Sequence, residues 1–323
     1  MKTMMPAFFL LLLLTLTPAG SRPQDLPSRS EPVPSSFQIS VDLNLVVLPV
    51  TVRDKKGVFA SDLRQQDFQV YEDGVRQSIR VFQHEDIPVT VGLVIDHSGS
   101  MLRKIDDVVA AAQAFVHFSN TGDQMFVVNF NEHVSLGLPA SIPFTNRADE
   151  MESAILKAPV SGQTALYNAI DLALDRLQAG HHAKKVLVVI SDGGDNASTH
   201  TLPQILRKAA LSNAIVYTIG IFEPGDPDQN PDVLRRLARE TGGEAFFPAQ
   251  FSEAVSNCQD IAKDIRHQYA VGYVSESKRS GGQRSVRVVA RVAGRDLAVR
   301  TRAGYIAPET AVDDGATRAG TAK

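Results

Sequence analysis

The sequence predicts an α/β protein in which a doubly wound, mostly parallel, Rossmann-like sheet is inserted between two β segments at the ends of the chain. Strands and helices alternate from Ile87 to about His267, which is the pattern of such a sheet. The strand "KVLVVI" is apolar without alternation, so both of its faces should be buried. The flanking parts carry short strands and turns, which indicates antiparallel β structure.

These signals divide the chain into six parts. They are a signal peptide (1–21), a Pro- and Ser-rich linker (22–36), an N-terminal β segment (37–86), the α/β domain (87–267), a C-terminal β segment (268–307) and a disordered tail (308–323).

The first residues predict export. Lys2 is followed by the apolar stretch Ala7–Leu16 and by small residues that favour cleavage near Gly20 or Ser21. An uncleaved anchor is the alternative, but the stretch is shorter than the roughly 20 residues that a membrane span needs. We therefore expect a periplasmic or secreted protein with no transmembrane segment after cleavage.

Neither terminal β segment is large enough to bury a core alone. The N-terminal one contains "DFQVYEDGVRQSIRVFQ", in which Asp73-Gly74 predicts a hairpin turn, and the C-terminal one contains "YAVGYV", "SVRVVARV" and "AVRTRAGYI" as three strands. We expect the two segments to pair into one small β-sandwich. The alternative is that they only extend the edge of the α/β sheet.

Periodicity places the elements of the α/β domain. The predicted strands are Val89–Ile95, Gln124–Asn129, Val186–Ser191, Ile215–Ile221 and Glu244–Phe247, with a weaker one near His133–Leu138. The predicted helices are Leu102–Ser119, Ala148–Leu156, Ala165–Gln178, Leu202–Ser212, Pro231–Glu240 and Ser252–His267.

The composition argues against nucleic acid as a partner and against a disulfide within the chain. The formal net charge is −3, and no Lys/Arg cluster alternates with aromatic residues, so the sequence gives no indication of nucleic-acid binding. The single cysteine, Cys258, allows no disulfide within the chain. It lies on the apolar stripe of a predicted helix, which predicts a buried thiol.

An acid and two hydroxyls follow the first strand of the α/β domain. Asp96, Ser98 and Ser100 have one residue between each pair, so a tight loop can turn their oxygens toward one centre. Ligands of doubly wound sheets bind outside the carboxyl ends of the strands, where the strand order reverses. Two other segments end at that edge, and they bring Thr164 in "SGQT" and Asp192 in "VVISD".

These five side chains offer hard oxygen donors, which predict a site for a divalent cation. Mg²⁺ fits first, with Mn²⁺ or Ca²⁺ as alternatives, whereas Zn²⁺ and copper prefer softer ligands. A further octahedral position remains for water or for an acid from outside. The simpler alternative, that Ser100 and Thr164 only cap helices, leaves the acids at both strand ends unexplained.

The motifs "DHSGSM", "GQTAL" and "SDGGD", in this order and on these elements, resemble the metal-ion-dependent adhesion site (MIDAS) of von Willebrand factor A domains. The resemblance covers roughly Ile87 to His267, and the flanking segments look like bacterial exported proteins of the von Willebrand factor A-related type. It implies that Ser98, Ser100 and Thr164 ligate the metal directly, that Asp96 and Asp192 act largely through water, and that a Glu or Asp of a protein partner fills the open position.

Three further residues are candidates for contacting that partner. We expect His97 to point away from the metal, toward solvent or partner. Asp226 and Asp228 lie in the acidic loop "EPGDPDQNPD", which leaves a strand on the metal's side and could shape the access of acidic ligands. The simpler alternative for all three is a solvated loop residue.

Motifs for catalysis are missing from the sequence. The Gly-flanked His and Gly-Thr-Ser context of subtilisin-like proteases, the nucleophile elbow, the Walker loop and a G-x-G-x-x-G at a strand end are all absent. We therefore expect a non-enzymatic binding or adhesion module. The alternatives are a structural envelope or matrix protein, in which the metal only stabilises the fold, and, more remotely, a metal-assisted hydrolase.

Overall fold

The computed structural model describes residues 45–308, apart from 85, 224, 226, 278 and 280. The signal peptide, the linker, the first residues of the N-terminal β segment and nearly all of the tail lie outside the described residues, as does Asp226. The predictions that concern them stay predictions.

The described residues form strands and helices that follow the predicted order. The strands are β1 (Leu45–Asp54), β2 (Phe68–Glu72), β3 (Val75–Gln77), β4 (Ile79–Gln83), β5 (Val89–Asp96), β6 (Gln124–Phe130), β7 (Val134–Leu136), β8 (Lys184–Ser191), β9 (Ile215–Gly220), β10 (Ala245–Phe246), β11 (Tyr269–Val274), β12 (Gln283–Ala290), β13 (Leu297–Arg300) and β14 (Gly304–Ile306). The helices are α1 (Ile105–Phe118), α2 (Ala148–Ile155), α3 (Leu166–Gln178), α4 (Leu202–Ser212), α5 (Pro231–Thr241) and α6 (Phe251–Arg266), with 3₁₀ turns at Gln65–Asp67 and Gly99–Met101.

The central sheet has the strand order β10-β9-β8-β5-β6-β7 and is parallel except for β7 at one edge. Helix α1 packs against α2 and α6, while α4 packs against α3 and α5. Every residue of β5 is buried, so both faces of the sheet are covered and the two groups of helices lie on opposite sides. The doubly wound fold predicted from the sequence is confirmed.

Most elements of the α/β domain agree with their predicted bounds to within one or two residues at each end, and two elements of the chain differ by more. The first helix was expected from Leu102 but begins at Ile105, because a 3₁₀ turn at Gly99–Met101 comes first and the buried side chain of Lys104 reaches back to the carbonyl of Ile221 at 3.2 Å. The stretch "AVRTRAGYI" was expected as one strand, but it divides into β13 and β14, which belong to different sheets.

The terminal segments pair with each other in two antiparallel sheets, β13-β1-β11-β4 and β14-β12-β2-β3. The pairs β1–β11 and β2–β12 each join an N-terminal to a C-terminal strand. Both sheets share one apolar core, which includes Val50, Val70, Val271 and Val288. The two segments therefore form a β-sandwich with its own core, as predicted.

The hairpin between β2 and β3 turns at Asp73-Gly74, as predicted. Both residues have positive φ angles, 46° and 82°, which a tight turn matched to the twist of the strands requires.

Cys258 is buried in the core of the α/β domain, and this burial raises the pKa of its thiol to about 12. None of the described helices has the length and apolar character needed to cross a membrane.

A buried acid links the two sheets of the sandwich. The Glu72 carboxylate accepts hydrogen bonds from the hydroxyls of Tyr273 (2.7 Å), Tyr305 (2.9 Å) and Ser275 (2.7 Å), and from the guanidinium of Arg284 (3.1 Å). Because Glu72 belongs to one sheet and Tyr273 to the other, this cluster fixes their relative position. A buried charge with four donors is tolerated because its lost hydration is replaced.

A second buried acid joins the sandwich to the α/β domain. Asp264 of α6 accepts hydrogen bonds from Thr51 of β1 at 2.9 Å, from Tyr217 of β9 at 2.5 Å and from the guanidinium of Arg300 in β13. Burial, and then the charge of Asp264, raise the pKa of the Tyr217 hydroxyl well above its usual value, so it remains a donor. Arg300 also lies 3.3 Å from Glu244.

Replacing Asp264 should weaken the whole fold. We expect Asp264→Ala to lower the free energy of unfolding by about 3 kcal/mol, because it leaves the buried hydroxyls of Thr51 and Tyr217 without their acceptor and removes one of the acidic partners of Arg300. Tyr217→Phe removes the hydroxyl that donates to Asp264 and accepts from Nε2 of Gln268 at 3.0 Å, and it should cost about 2 kcal/mol. Asp260→Ala, on the exposed side of the same helix, should cost less than about 0.5 kcal/mol. Urea unfolding measures all three, and equal losses for Asp264→Ala and Asp260→Ala would contradict the linking role.

Candidate metal centre

The candidate site lies at the carboxyl ends of β5 and β8, which are neighbours in the parallel sheet. Strand β5 is followed along the chain by β6 on one side and pairs with β8 on the other, so the strand order reverses here. Asp96 is the last residue of β5, and Asp192 directly follows β8. Because Ile95 pairs with Ile190, the two acids emerge at nearly the same height of the sheet.

Asp96 is fully buried and is held by two neutral donors. Its Oδ1 accepts a hydrogen bond from the backbone N–H of Ser98 at 2.9 Å, and its Oδ2 accepts one from the Ser191 hydroxyl at 2.6 Å. Burial, and then the negative charge of Asp192, raise the pKa of Asp96 to about 6 despite these bonds. The site therefore carries more negative charge than its protein donors neutralise.

A continuous row of hydrogen bonds joins Ser98 to Asp192. The two hydroxyls of Ser98 and Ser100 are 3.1 Å apart, and the Ser100 hydroxyl donates to Oδ2 of Asp192 at 2.6 Å. The 3₁₀ turn at Gly99–Met101 brings Ser100 back toward β8. The Nζ of Lys104 lies 3.6 Å from the same Oδ2, while Oδ1 accepts from the Gly194 N–H at 3.1 Å. Four of the five predicted ligands thus form one cluster.

Thr164 lies on a loop of residues 161–165, named here the Thr164 loop, which is hydrogen-bonded to the Ser98 turn. Each residue of this loop makes a hydrogen bond to a different neighbour. The bonds are Ser161 N–H to His97 O (2.9 Å), Gly99 N–H to Gly162 O (3.0 Å), Gln163 N–H to Glu132 Oε2 (2.9 Å), Thr164 N–H to Asn196 Oδ1 (2.9 Å) and Ala165 N–H to Asn131 O (2.8 Å). The bonds to His97 and Gly99 hold the loop against the Ser98 turn.

The prediction that His97 points to solvent or partner is wrong. Its side chain is buried, with Nε2 3.2 Å from Oδ1 of Asn129, and burial lowers the pKa of the imidazole. The backbone explains this placement, because the N–H of His97 donates to the carbonyl of Phe130 and the residue continues the sheet beyond β5. His97 is therefore buried against Asn129 of β6 and not exposed to solvent.

The acidic loop after β9 lies beside Asp192, as expected from its position at a strand's carboxyl end. The N–H of Asn230 donates to the carbonyl of Asp192 at 2.8 Å, and Asp228 is exposed on this loop. Asp226 lies outside the described residues. Several supporting residues were not anticipated from the sequence. Lys104, Glu132 and Asn196 lie outside the three motifs, and Ser191, although it begins "SDGGD", was not predicted to bind Asp96; only their spatial contacts identify them.

The residues present fit a hard divalent cation. Two acids and three hydroxyl residues come to one edge of the sheet, and Asp96, whose hydrogen-bond donors are neutral, has a pKa that burial and then the charge of Asp192 raise. The neighbouring Gly99, Gly162 and Gln163 are exposed, so the cluster has one side open to solvent. Within the described ranges, no group of three or more His, Cys, Asp and Glu side chains offers a competing site.

Known proteins share this fold. Residues 91–194 match the family model of the von Willebrand factor type A domain. A von Willebrand factor type A protein from Catenulispora acidiphila is similar in structure, with a TM-score of 0.51 and 15% identity, over 85% of this chain and 77% of that one. None of the curated proteins compared with the chain matches it.

Two further solved structures are similar over the central part of the chain. One is the vWF domain of the type V pili tip protein Mfa5 from Porphyromonas gingivalis (TM-score 0.45, 14% identity, 56% of this chain and 95% of that one). The other is proximal thread matrix protein 1 from the mussel byssus with a zinc-occupied MIDAS motif (TM-score 0.48, 16% identity, 60% and 50%). The family match and the doubly wound sheet together show that this chain contains a von Willebrand factor type A domain.

Proposed function

We propose that this protein is an exported, non-enzymatic binding module. It uses a divalent cation, of which Mg²⁺ is the best match, to bind an acidic residue of a protein partner. The ligand set is Asp96, Ser98, Ser100, Thr164 and Asp192. The observation that carries the proposal is the hydrogen-bonded row from Ser98 through Ser100 to Asp192, next to a buried Asp96 whose hydrogen-bond donors are neutral.

The acids and the hydroxyl residues have different roles, and together these roles suit the binding of a partner. Asp96 and Asp192 supply the negative charge that attracts a cation, and the neutral hydroxyls of the serines and Thr164 complete the site without cancelling its charge. A bound cation adds a Lewis-acidic centre at the open side, where a carboxylate of a partner is the matching ligand. The exposed glycines beside it leave room for a partner's backbone.

Two other functions are weaker. In a structural role the cation would only stabilise the fold, but the Asp264 and Glu72 clusters already join the elements without one. A metal-assisted hydrolase needs a general base, and the nearest imidazole, that of His97, is buried against Asn129 with a lowered pKa. Both observations favour binding over the alternatives.

Asp96→Asn should remove cation binding and leave the fold intact. The amide keeps the shape of the carboxylate but not its charge, so we expect at least about a 100-fold loss of Mg²⁺ or Mn²⁺ affinity by calorimetry. The wild-type protein should bind in the micromolar to millimolar range and stay folded in chelator. If chelator unfolds the wild type, the structural alternative is correct, and if the wild type binds no divalent ion, the site assignment is wrong.

The cation-free protein should lose stability as the pH rises. The pKa of Asp96 is about 6 in the fold against 3.8 as its ordinary value, so the folded state holds this proton more tightly than the unfolded one. The stabilisation is present below the unfolded pKa and lost through the folded pKa, a loss on the order of 3 kcal/mol between about pH 4 and pH 7.

Urea unfolding in chelator, compared between the wild type and Asp96→Asn across this range, isolates that loss from other titrating groups. Saturating Mg²⁺ should restore the wild type at pH 7 but not the variant. A difference between the two proteins that does not change with pH would contradict the assignment of the charge to Asp96.

Selected peptides can test which chemical group of the partner binds the site. We expect peptides selected from a random library on the Mg²⁺-loaded protein to contain Asp or Glu, to lose binding when that acid becomes its amide, and to be released by chelator. Replacing Asp226 and Asp228 together with Asn should change the affinity for these peptides if the acidic loop shapes ligand access. Binding that survives both chelator and Asp96→Asn would show that the partner uses another surface.

A further inference from the structure

One charged side chain holds the Thr164 loop. The hydrogen bonds of this loop go to or from backbone groups and to the Asn196 amide, and the Thr164 carbonyl also accepts from the N–H groups of Asn196 and Ala197 (both 3.0 Å), whereas the bond from the Gln163 N–H goes to the carboxylate of Glu132. Glu132 lies in the exposed turn between β6 and β7, outside every motif of the sequence. A long, exposed side chain loses conformational entropy when a hydrogen bond holds it, so this contact needs a physical explanation.

The place of the Glu132 carboxylate depends on a glycine. Gly162 has a φ of +80°, and a Cβ at this residue would lie only 1.6 Å from Oε2 of Glu132. The carboxylate therefore occupies the space that any other residue at 162 would fill. Gly162 is two residues before Thr164, and its carbonyl accepts the hydrogen bond from Gly99 in the Ser98 turn.

The β6–β7 turn holds Thr164 from both sides. Glu132 binds the N–H of the residue before it, and the carbonyl of Asn131 accepts from the N–H of the residue after it, Ala165, at 2.8 Å. The Asn131 bond is made by backbone, so it persists whatever side chains are present. The Glu132 bond is charge-assisted and depends on one side chain.

We propose that Glu132 is a positioning residue for the cation site: its carboxylate fixes Gln163 and so sets the place of the Thr164 hydroxyl. This inference rests on the proposed function, because it assumes that Thr164 is a ligand. Groups that orient the ligands of a metal typically change its affinity by about 10- to 100-fold when they are removed. We expect the lower end of this range, since Asn131 and Asn196 still hold the loop.

The test compares Mn²⁺ binding to the full chain by calorimetry for the wild type and three variants. Glu132→Ala should weaken Mn²⁺ binding about tenfold, Glu132→Gln should stay within about threefold of the wild type because its amide oxygen still accepts the bond, and His133→Ala, on the same turn, should have no effect. Hydrogen exchange of the Gln163 amide should be faster in Glu132→Ala and close to wild type in Glu132→Gln.

Each of the following results would contradict the inference. If Glu132→Gln loses as much affinity as Glu132→Ala, the carboxylate acts only by its charge and not by positioning. If neither variant changes the affinity of a wild type that does bind Mn²⁺, Glu132 has no role although the proposed function stands. If the wild type itself binds no Mn²⁺, the proposed function fails first. Because Glu132 is exposed, all the variants should fold, and unchanged thermal unfolding in chelator checks this.

Discussion

The arrangement of this site depends on one constraint: two carboxylates end adjacent parallel strands at almost the same height. Pairing of β5 with β8 fixes the separation of Asp96 and Asp192, and neither side chain can move away because both are buried. Serine hydroxyls and backbone N–H groups bind both acids, and Lys104 lies 3.6 Å from Asp192, but burial and then the charge of Asp192 still raise the pKa of Asp96. The sheet thus holds two carboxylates together that would separate in a flexible chain.

The buried acids of this protein fall into two kinds. Glu72 and Asp264 each accept bonds from an arginine as well as from hydroxyls, so their charge is balanced within the fold. Asp96 accepts bonds from a backbone N–H and a serine hydroxyl, and its nearest charged neighbour of note is another acid. Glu72 and Asp264 join elements far apart in sequence, whereas Asp96 is held by neutral donors at the candidate cation site.

Much of the fold could be predicted from the sequence, because hydrophobic periodicity and turn residues determine structure locally. Apolar runs predicted the parallel strands, and Asp73-Gly74 predicted its hairpin. The cluster of Asp96, Ser98, Ser100 and Asp192 followed from the rule that the carboxyl ends of strands share an edge. The 3₁₀ turn before α1 and the burial of His97 were not predicted, because contacts to β8, to the loop after β9 and to β6 decide them. Glu132 and Asp264 were missed for the same reason: an isolated acid carries no signal until its distant partners are known.

The sandwich is built from both sides of the inserted domain, and this has a mechanical consequence. The chain enters the α/β domain after β4 and leaves it just before β11, and these two strands are hydrogen-bonded neighbours, with Gln83 opposite Ala270. A pull on a partner held at the far edge of the domain would therefore be shared between two adjacent strands of one sheet. The load would also be carried by side-chain contacts between the sandwich and the α/β domain, which include the Asp264 cluster and the bonds from Arg302 to Asn213 and Ala210, so the domain resists rotation relative to the sandwich.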